Sequence, residues 1–563
     1  MKHTLALLAL LAVGACMGAQ PALLPARVNK TIHERVAAGE YPALVIAVVD
    51  GDRSGVYGFG KLDNGKVPDA DTVFEIGSIT KTFTATLLAK GALDGQFKLD
   101  APIATLLPGF NIPSRNGKTI SLENLATHRS GLPRMPTNFA PENENDPFAD
   151  YDGAKLKAFL SGYKLPRDPD SYYEYSNVGA GLLGYAMAQN AGIGYDALLH
   201  AQIFDPLGMH ASDDALSDRM GAHLASGHDE SSKRVANWNF DALAGAGAIK
   251  SSGADMLIFL KANMGLMRTP LYPAMQFAQQ PRASAPAIQP DDRIGLVWMT
   301  LHGTHGDVIW HNGETDGYHS FIGFTADHRH GVLVLTNTSL SVDDLGFATL
   351  RPDAKLAATH KSIPIAATAE DEYVGSYQRK MRNMLKIFRT GDQLYAQGSG
   401  QDPFPIYASA RDEFFARVAD VGFSFRRDDI HTIKALVLHQ DGDTVLPRLS
   451  DKDAAAAAAK HDARANAASG QPTVALDAAT LAGYVGHYQL APDTSFTITL
   501  TDGQMLVQIT GQDALPVYAS AKDKFFLKVV DAQIDFERDG DGHVVALVLH
   551  QGGTDQRAKR ISN

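Results

Sequence analysis

Ser78-Ile79-Thr80-Lys81 follows an extended approach, Phe74-Glu75-Ile76-Gly77, and precedes Phe83, Leu87 and Leu88, an apolar stripe at helical spacing. A hydroxyl therefore stands at the mouth of a helix, with an amine one turn along it. Residues three apart share a helical face, so the Lys81 amine can reach the Ser78 oxygen and act as the base that a neutral serine needs to become a nucleophile. The positive end of the helix dipole and partial burial both disfavour an ammonium ion, which pushes the lysine toward its proton-accepting form. The competing reading of Ser78 is a helix N-cap, since serine is among the best caps. A second S-x-x-K, Ser161-Gly162-Tyr163-Lys164, has the opposite context. Gly162 interrupts its pattern and Pro166 and Pro169 follow, so Ser161 reads as a helix-terminal surface serine.

Two further stretches extend the pattern. Tyr175-Ser176-Asn177 precedes the apolar run Val178-Gly179-Ala180-Gly181-Leu182-Leu183, suited to a buried helix. His311-Asn312-Gly313 follows Val308-Ile309-Trp310 and precedes Phe321-Ile322-Gly323-Phe324, which together read as a strand, a turn and a second strand. Nucleophile motif, Y-x-N and a polar-x-Gly edge strand occur in one chain order. In this the sequence resembles the serine hydrolases related to class C β-lactamases, a family that includes penicillin-binding proteins, D-aminopeptidases and some esterases. Flanking segments add to the resemblance: a β-hairpin pattern over Leu44–Gly60, the stretch Ile120–Pro133, and a Gly-rich turn, Ala244–Met256. The likeness covers residues 30 to 350.

What the resemblance implies is an α/β (α+β) catalytic domain, an antiparallel sheet flanked by helices, over residues 25–350. Ser78 would attack a carbonyl, with Lys81 and the Tyr175 phenol sharing the proton traffic. Asn177 would hydrogen-bond the substrate or Lys81. The backbone N–H groups of Ser78 and of Glu314, the residue after Gly313, would hold the oxyanion. No metal or other cofactor is required. Read without the family, Tyr175 is a core ring, Asn177 a helix cap and His311 a strand histidine.

The third motif departs from the K-T-G of the β-lactamases. A lysine there is a permanent cation that attracts a carboxylate, whereas histidine, with an unperturbed pKa of about 6.5, is mostly neutral at pH 7. Carboxylate-bearing substrates are thus less expected. H-x-G resembles the D-aminopeptidase and esterase branches, in which His311 would position Tyr175 and the substrate. The expected activity is hydrolysis of ester or amide bonds in small or D-amino-acid-containing substrates. The alternatives are a DD-peptidase or β-lactamase, or a penicillin-binding protein with little turnover.

With 45% hydrophobic residues among 563, the chain can build several cores. A net charge of −12 argues against nucleic acid as a partner, because phosphate binding needs a basic face. Lys2, the apolar run Leu5–Val13 and the small residues up to Ala19 read as an export leader over residues 1–19. Val13-Gly14-Ala15-Cys16 also resembles a lipoprotein box, in which Cys16 would carry a lipid anchor. The expected location is periplasmic or membrane-anchored in a bacterium, or secreted. Cys16 is the only cysteine, so no disulfide is expected. The histidines between His302 and His330 alternate with glycines and strand residues and suit turns better than a metal site.

Beyond residue 350 the chain repeats itself. Tyr373-Val374-Gly375-Ser376-Tyr377-Gln378 returns as Tyr484-Val485-Gly486-His487-Tyr488-Gln489, an offset of 111 residues, and Ala435–Gln440 returns at the same offset as Ala546–Gln551. An unbroken offset means one unit duplicated without net insertion. Short alternating apolar segments split by turns such as Asp502-Gly503 predict two small all-β antiparallel barrels (lipocalin-like), residues 366–450 and 477–561, with an Ala-rich linker at 451–476. His439-Gln440 and His550-Gln551 read as strand-end structural residues. A catalytic domain with two barrels resembles the plan of the D-aminopeptidases, in which a barrel loop can reach the active site and limit substrate size.

Overall fold

The computed structural model describes residues 23–289 and 291–359, and most of 361–456 and 473–562 with short gaps. The leader and Cys16 lie outside the described residues, as do residues 457–472 of the linker. Among the described residues, no helix is long and apolar enough to cross a membrane.

The run Leu44-Val45-Ile46-Ala47-Val48-Val49 forms the strand Ala43–Asp50, and its alternation divides it between two cores. Val45, Ala47 and Val49 join one apolar cluster with Phe83 and Phe259, while Leu44, Ile46 and Val48 join another with Val28, Ile32 and Leu345. Each such side chain removed from water contributes roughly 1.5–3 kcal/mol, which is why a strand covered on both faces reads as a continuous apolar run. The sheet has eight strands, ordered Arg53–Gly60, Ala43–Asp50, His330–Thr336, Tyr318–Thr325, Val308–Thr315, Met299–Leu301, Arg293–Ile294 and Ala283–Ser284. Every pairing is antiparallel. Helices Ala26–Ala37 and Asp343–Leu350 cover one face, and the larger helical layer containing Thr80–Leu93, Asn177–Ala191 and Gly253–Asn263 covers the other.

Helix Asn177–Ala191 is buried nearly all round, and its small residues permit a close approach. A Cβ on Gly184 would lie 2.8 Å from the Gly245 Cα, so only glycine lets the turn Ala244–Gly247 settle against this helix. That approach carries the Ala246 carbonyl to Lys81.

The C-terminal region is all antiparallel. One eight-stranded sheet runs in sequence order from Gly375–Tyr377 to Asp443–Pro447, and its ends meet at a bridge between Tyr377 and Arg448. The next eight strands, Gly486–Ala491 to Thr554–Ser562, form a closed barrel in which Tyr488 pairs with Arg560. The repeat in sequence is a repeat in contacts. Tyr373 donates to Asp412 at 3.0 Å and Tyr484 to Asp523 at 2.9 Å. Tyr377 donates to the Tyr373 carbonyl at 2.7 Å and Tyr488 to the Tyr484 carbonyl at 2.6 Å. Arg427 and Arg538 close the two carboxylate contacts. The barrel-edge histidines are tied down likewise, His439 to Asp443 and His550 to Asp555, each at 2.7 Å.

The first sheet of this region touches the catalytic domain. Tyr407 donates to the Glu230 carbonyl at 2.6 Å, and Arg417 reaches Ser232 at 3.4 Å while stacking 4.0 Å from the Tyr407 ring.

Candidate active site

Ser78 occupies a 3-10 turn, Gly77–Ile79, between the strand Val73–Glu75 and the helix Thr80–Leu93. Ile79 holds the N-cap position of that helix and no side chain caps either segment, so Ser78 is not acting as a cap. Its hydroxyl faces the amine instead. Lys81 Nζ lies 2.8 Å from Ser78 Oγ and 2.6 Å from the Ala246 carbonyl oxygen. The Lys81 side chain is 0% exposed. Burial, and secondarily the charge of Arg134, hold its ammonium form well below the ordinary lysine range. The second S-x-x-K behaves as expected: Ser161 is exposed near the end of helix Gly153–Gly162 and donates to the Lys157 carbonyl.

Tyr175 enters from the chain leading into helix Asn177–Ala191, whose N-cap is Ser176, accepting from the Gly179 N–H at 2.9 Å. Its ring centroid is 4.9 Å from Lys81 Nζ and its hydroxyl interacts with Ser78. Burial pushes the Tyr175 phenol up to about 12, against the opposing pull of Ser78 and Arg134, so it stays protonated at neutral pH. Asn177 is the first helical residue rather than the cap. Its amide donates to the Met135 sulfur at 3.6 Å, and no hydrogen bond joins it to Lys81.

His311, Asn312 and Gly313 lie within the strand Val308–Thr315, and the turn falls after them at Asp316 and Gly317. The sequence reading placed the turn too early, because the strand-breaking Gly313 has its role in close packing. Strand Met299–Leu301 covers only Val308–Trp310 of this strand, so from His311 onward that side of it is an open edge. That edge packs on the Ser78 turn through two glycines. A Cβ on Gly313 would lie 2.1 Å from the Ile76 oxygen and 2.9 Å from the Ser78 nitrogen. A Cβ on Gly77, whose φ is +50°, would lie 2.6 Å from the Glu314 nitrogen. The Ser78 and Glu314 N–H groups are thereby brought to one place.

The His311 ring is 4% exposed, with Nδ1 2.5 Å from its neighbour's carbonyl, that of Asn312. A carbonyl only accepts, so Nδ1 carries the proton and Nε2 is an acceptor. Burial, then Lys81, lowers its pKa to about 4, leaving it neutral. Asn312 donates to Asp343 at 2.8 Å, and burial raises the Asp343 carboxyl to about 7.

Ser78, Tyr175, Asn177, His311, Gly313 and Glu314 all line one cleft of about 870 Å³, and Lys81 lies beneath its floor. Met135, Phe139, Phe148 and Trp238 form an apolar wall, as substrate clefts commonly have. Three groups in this cleft were not singled out from sequence. His128, 1% exposed and at a φ of +54°, accepts the Ser176 N–H on Nδ1 at 3.2 Å, lies 4.5 Å from the Tyr175 ring and leaves Nε2 without a partner. Arg134 lies 5.2 Å from the same ring. Arg417 follows the strand Glu413–Ala416 of the first C-terminal sheet, 106 residues beyond His311 and 242 beyond Tyr175.

This sheet between two helical layers, with a serine–lysine–tyrosine cleft at one strand edge, defines a β-lactamase-like hydrolase. The chain belongs to the Beta-lactamase family, whose family model matches residues 28–353. A second model, a domain of unknown function (DUF3471), matches residues 471–560. A β-lactamase of Pseudomonas fluorescens is 28% identical over 42% of this chain, and the match spans 64% of that enzyme. The D-alanyl-D-alanine-carboxypeptidase/endopeptidase AmpH of Escherichia coli K12 is 28% identical over 53% of this chain and 79% of its own. Among solved structures, a β-lactamase/D-alanine carboxypeptidase from Yersinia pestis shares the fold of the catalytic domain, with a TM-score of 0.50 and 24% identity over 56% of this chain and 92% of that one.

Proposed function

We propose that this protein is a serine hydrolase that forms an acyl-enzyme on Ser78 and acts on ester or amide bonds of small or D-amino-acid-containing substrates. The observation that carries the reading is the 2.8 Å approach of a fully buried Lys81 amine to Ser78 Oγ. A neutral amine at that distance takes the hydroxyl proton as Oγ bonds to the carbonyl carbon, and the Ser78 and Glu314 N–H groups stabilise the oxyanion. The Tyr175 phenol, kept protonated by burial, gives its proton to the leaving group as the tetrahedral intermediate collapses and recovers one from Lys81. Water then attacks the ester carbon, with the same groups running in reverse. His311, neutral and with its ring 6.4 Å from that of Tyr175, keeps Nε2 as an acceptor and would position Tyr175 and the substrate.

The AmpH relative, named as a D-alanyl-D-alanine carboxypeptidase, favours a second reading in which the scissile bond joins two D-residues. A leader and a lipidated Cys16 would place either activity outside the cytoplasm. The test compares a D-alanyl anilide, a D-alanyl-D-alanine peptide and a short nitrophenyl ester, with Ser78→Ala as control and intact mass after penicillin addition. Ser78-dependent turnover supports the hydrolase, and the preferred substrate separates the two readings. Turnover that survives Ser78→Ala rejects both, and an adduct that forms but persists means binding with little turnover.

A further inference from the structure

The third motif lacks a lysine, yet the cleft does not lack a cation. Arg134 lines it together with Ser78, and its backbone carbonyl accepts the Asn177 N–H at 2.9 Å, which ties the base of the side chain to the Tyr175-Ser176-Asn177 segment. Its guanidinium lies 5.2 Å from the Tyr175 ring. Among the described residues it has no hydrogen-bond or ion-pair partner, although Glu314, Glu230 and Asp316 line the same cleft. Arg417 differs, being held by Ser232, Ser362 and the Tyr407 ring. Exposed arginines without partners are common on surfaces and mean nothing by themselves. This one stands beside the phenol that, in the reading above, protonates the leaving group. The three carboxylates make the rest of the cleft unfavourable for an anion, while a planar guanidinium matches a carboxylate with two parallel hydrogen bonds.

Resting on the hydrolase reading, we infer that Arg134 seats a carboxylate carried by the leaving group of the substrate. The substrate class is then an acyl compound whose leaving portion ends in a carboxylate, as in a peptide or depsipeptide with a free C-terminus. The cation comes from the loop after Gly131 instead of from the third motif. This reverses the expectation drawn from His311 alone.

The test uses two thioesters that differ only in charge, benzoylglycyl thioglycolate and its methyl ester, with thiol release followed for the full chain. The readout is the ratio of kcat/KM for the anionic over the neutral substrate, since a purely structural defect lowers both and leaves the ratio alone. Arg134→Gln lowers the ratio roughly 10- to 100-fold, the loss expected when a charge-assisted pair is removed. Arg134→Lys, which keeps the charge but not the fork, retains part of it, and added salt lowers the wild-type ratio. A ratio that stays within about twofold of wild type in Arg134→Gln overturns the inference and leaves the hydrolase reading standing. Absence of Ser78-dependent hydrolysis of both thioesters overturns that reading, and the inference with it.

Discussion

Lys81 Nζ stands between two oxygens, 2.8 Å from Ser78 Oγ and 2.6 Å from the Ala246 carbonyl. The carbonyl accepts one of the amine's protons, which orients the nitrogen toward the serine. Lys81→Met keeps the volume and removes the base. The expected outcome is a fall in acylation rate of roughly 10²- to 10⁴-fold, the usual contribution of a positioned base. Because a buried amine carries a desolvation cost that methionine lacks, the melting temperature is expected to hold or rise. Stopped-flow acylation and calorimetry on the same preparation check both halves; a variant that merely unfolds contradicts the assignment.

The approach of Gly313 to Ile76 leaves no room for a methyl group, since its Cβ would sit 2.1 Å from a carbonyl oxygen. Gly313→Ala must push the strand edge off the Ser78 turn and separate the two N–H donors. Losing one such donor lowers kcat by roughly 10²- to 10³-fold. The expected signature is a large loss of turnover with the Ser78–Lys81 pair intact, so slow labelling of Ser78 by a fluorophosphonate should survive.

His311 gives a pH dependence with a definite sign. Its folded pKa is about 4 against 6.5 for the free imidazole. Between those values the unfolded chain holds more protons, so stability is full above 6.5 and falls as pH drops through the window, by roughly 3 kcal/mol if the whole shift is expressed. His319, also lowered to about 4 by burial, adds to the same slope. His311→Gln should flatten the decline of unfolding free energy between pH 6.5 and 4, measured by urea titration. An unchanged slope would mean that His311 is protonated in the folded state.

The Tyr407–Glu230 and Arg417–Ser232 contacts bring the first C-terminal sheet to the rim of the cleft. Truncating Arg417 to alanine removes a guanidinium from the rim and a stacking partner from Tyr407. The expected change is a rise in kcat/KM for a bulky acyl group relative to a short one of a few-fold, at unchanged catalytic-domain stability. Equal effects on both substrates would place Arg417 outside the substrate's reach.

Much of this architecture was legible because it rests on local pattern. The helix after Ser78 follows from apolar periodicity and the duplicated barrels from an offset of 111 residues, while the strand Ala43–Asp50 was legible as a continuous apolar run in a hairpin that resembles the family's. The turn after the third motif was misplaced, since a glycine needed for close approach looks, in sequence, like one needed for a bend. Ser78 proved to lie in a 3-10 turn before the helix, a distinction of one hydrogen bond that side-chain periodicity does not register.

The sequence by itself determined the chemistry available: a serine and an amine one helical turn apart, a tyrosine, a Gly-containing edge, and a histidine where a lysine would carry charge. Local spacing encodes such pairs because backbone geometry converts three residues into one helical face. Only the tertiary structure decided the electrostatics of the cleft. Burial among elements distant in the chain lowers the Lys81 pKa well below the ordinary lysine range, the Ala246 carbonyl reaches it across a glycine-to-glycine contact, and Arg417 converges on the loop that carries His128 and Arg134 from a distant segment. Burial and long-range convergence depend on which surfaces pack together, and no stretch of sequence carries that information alone.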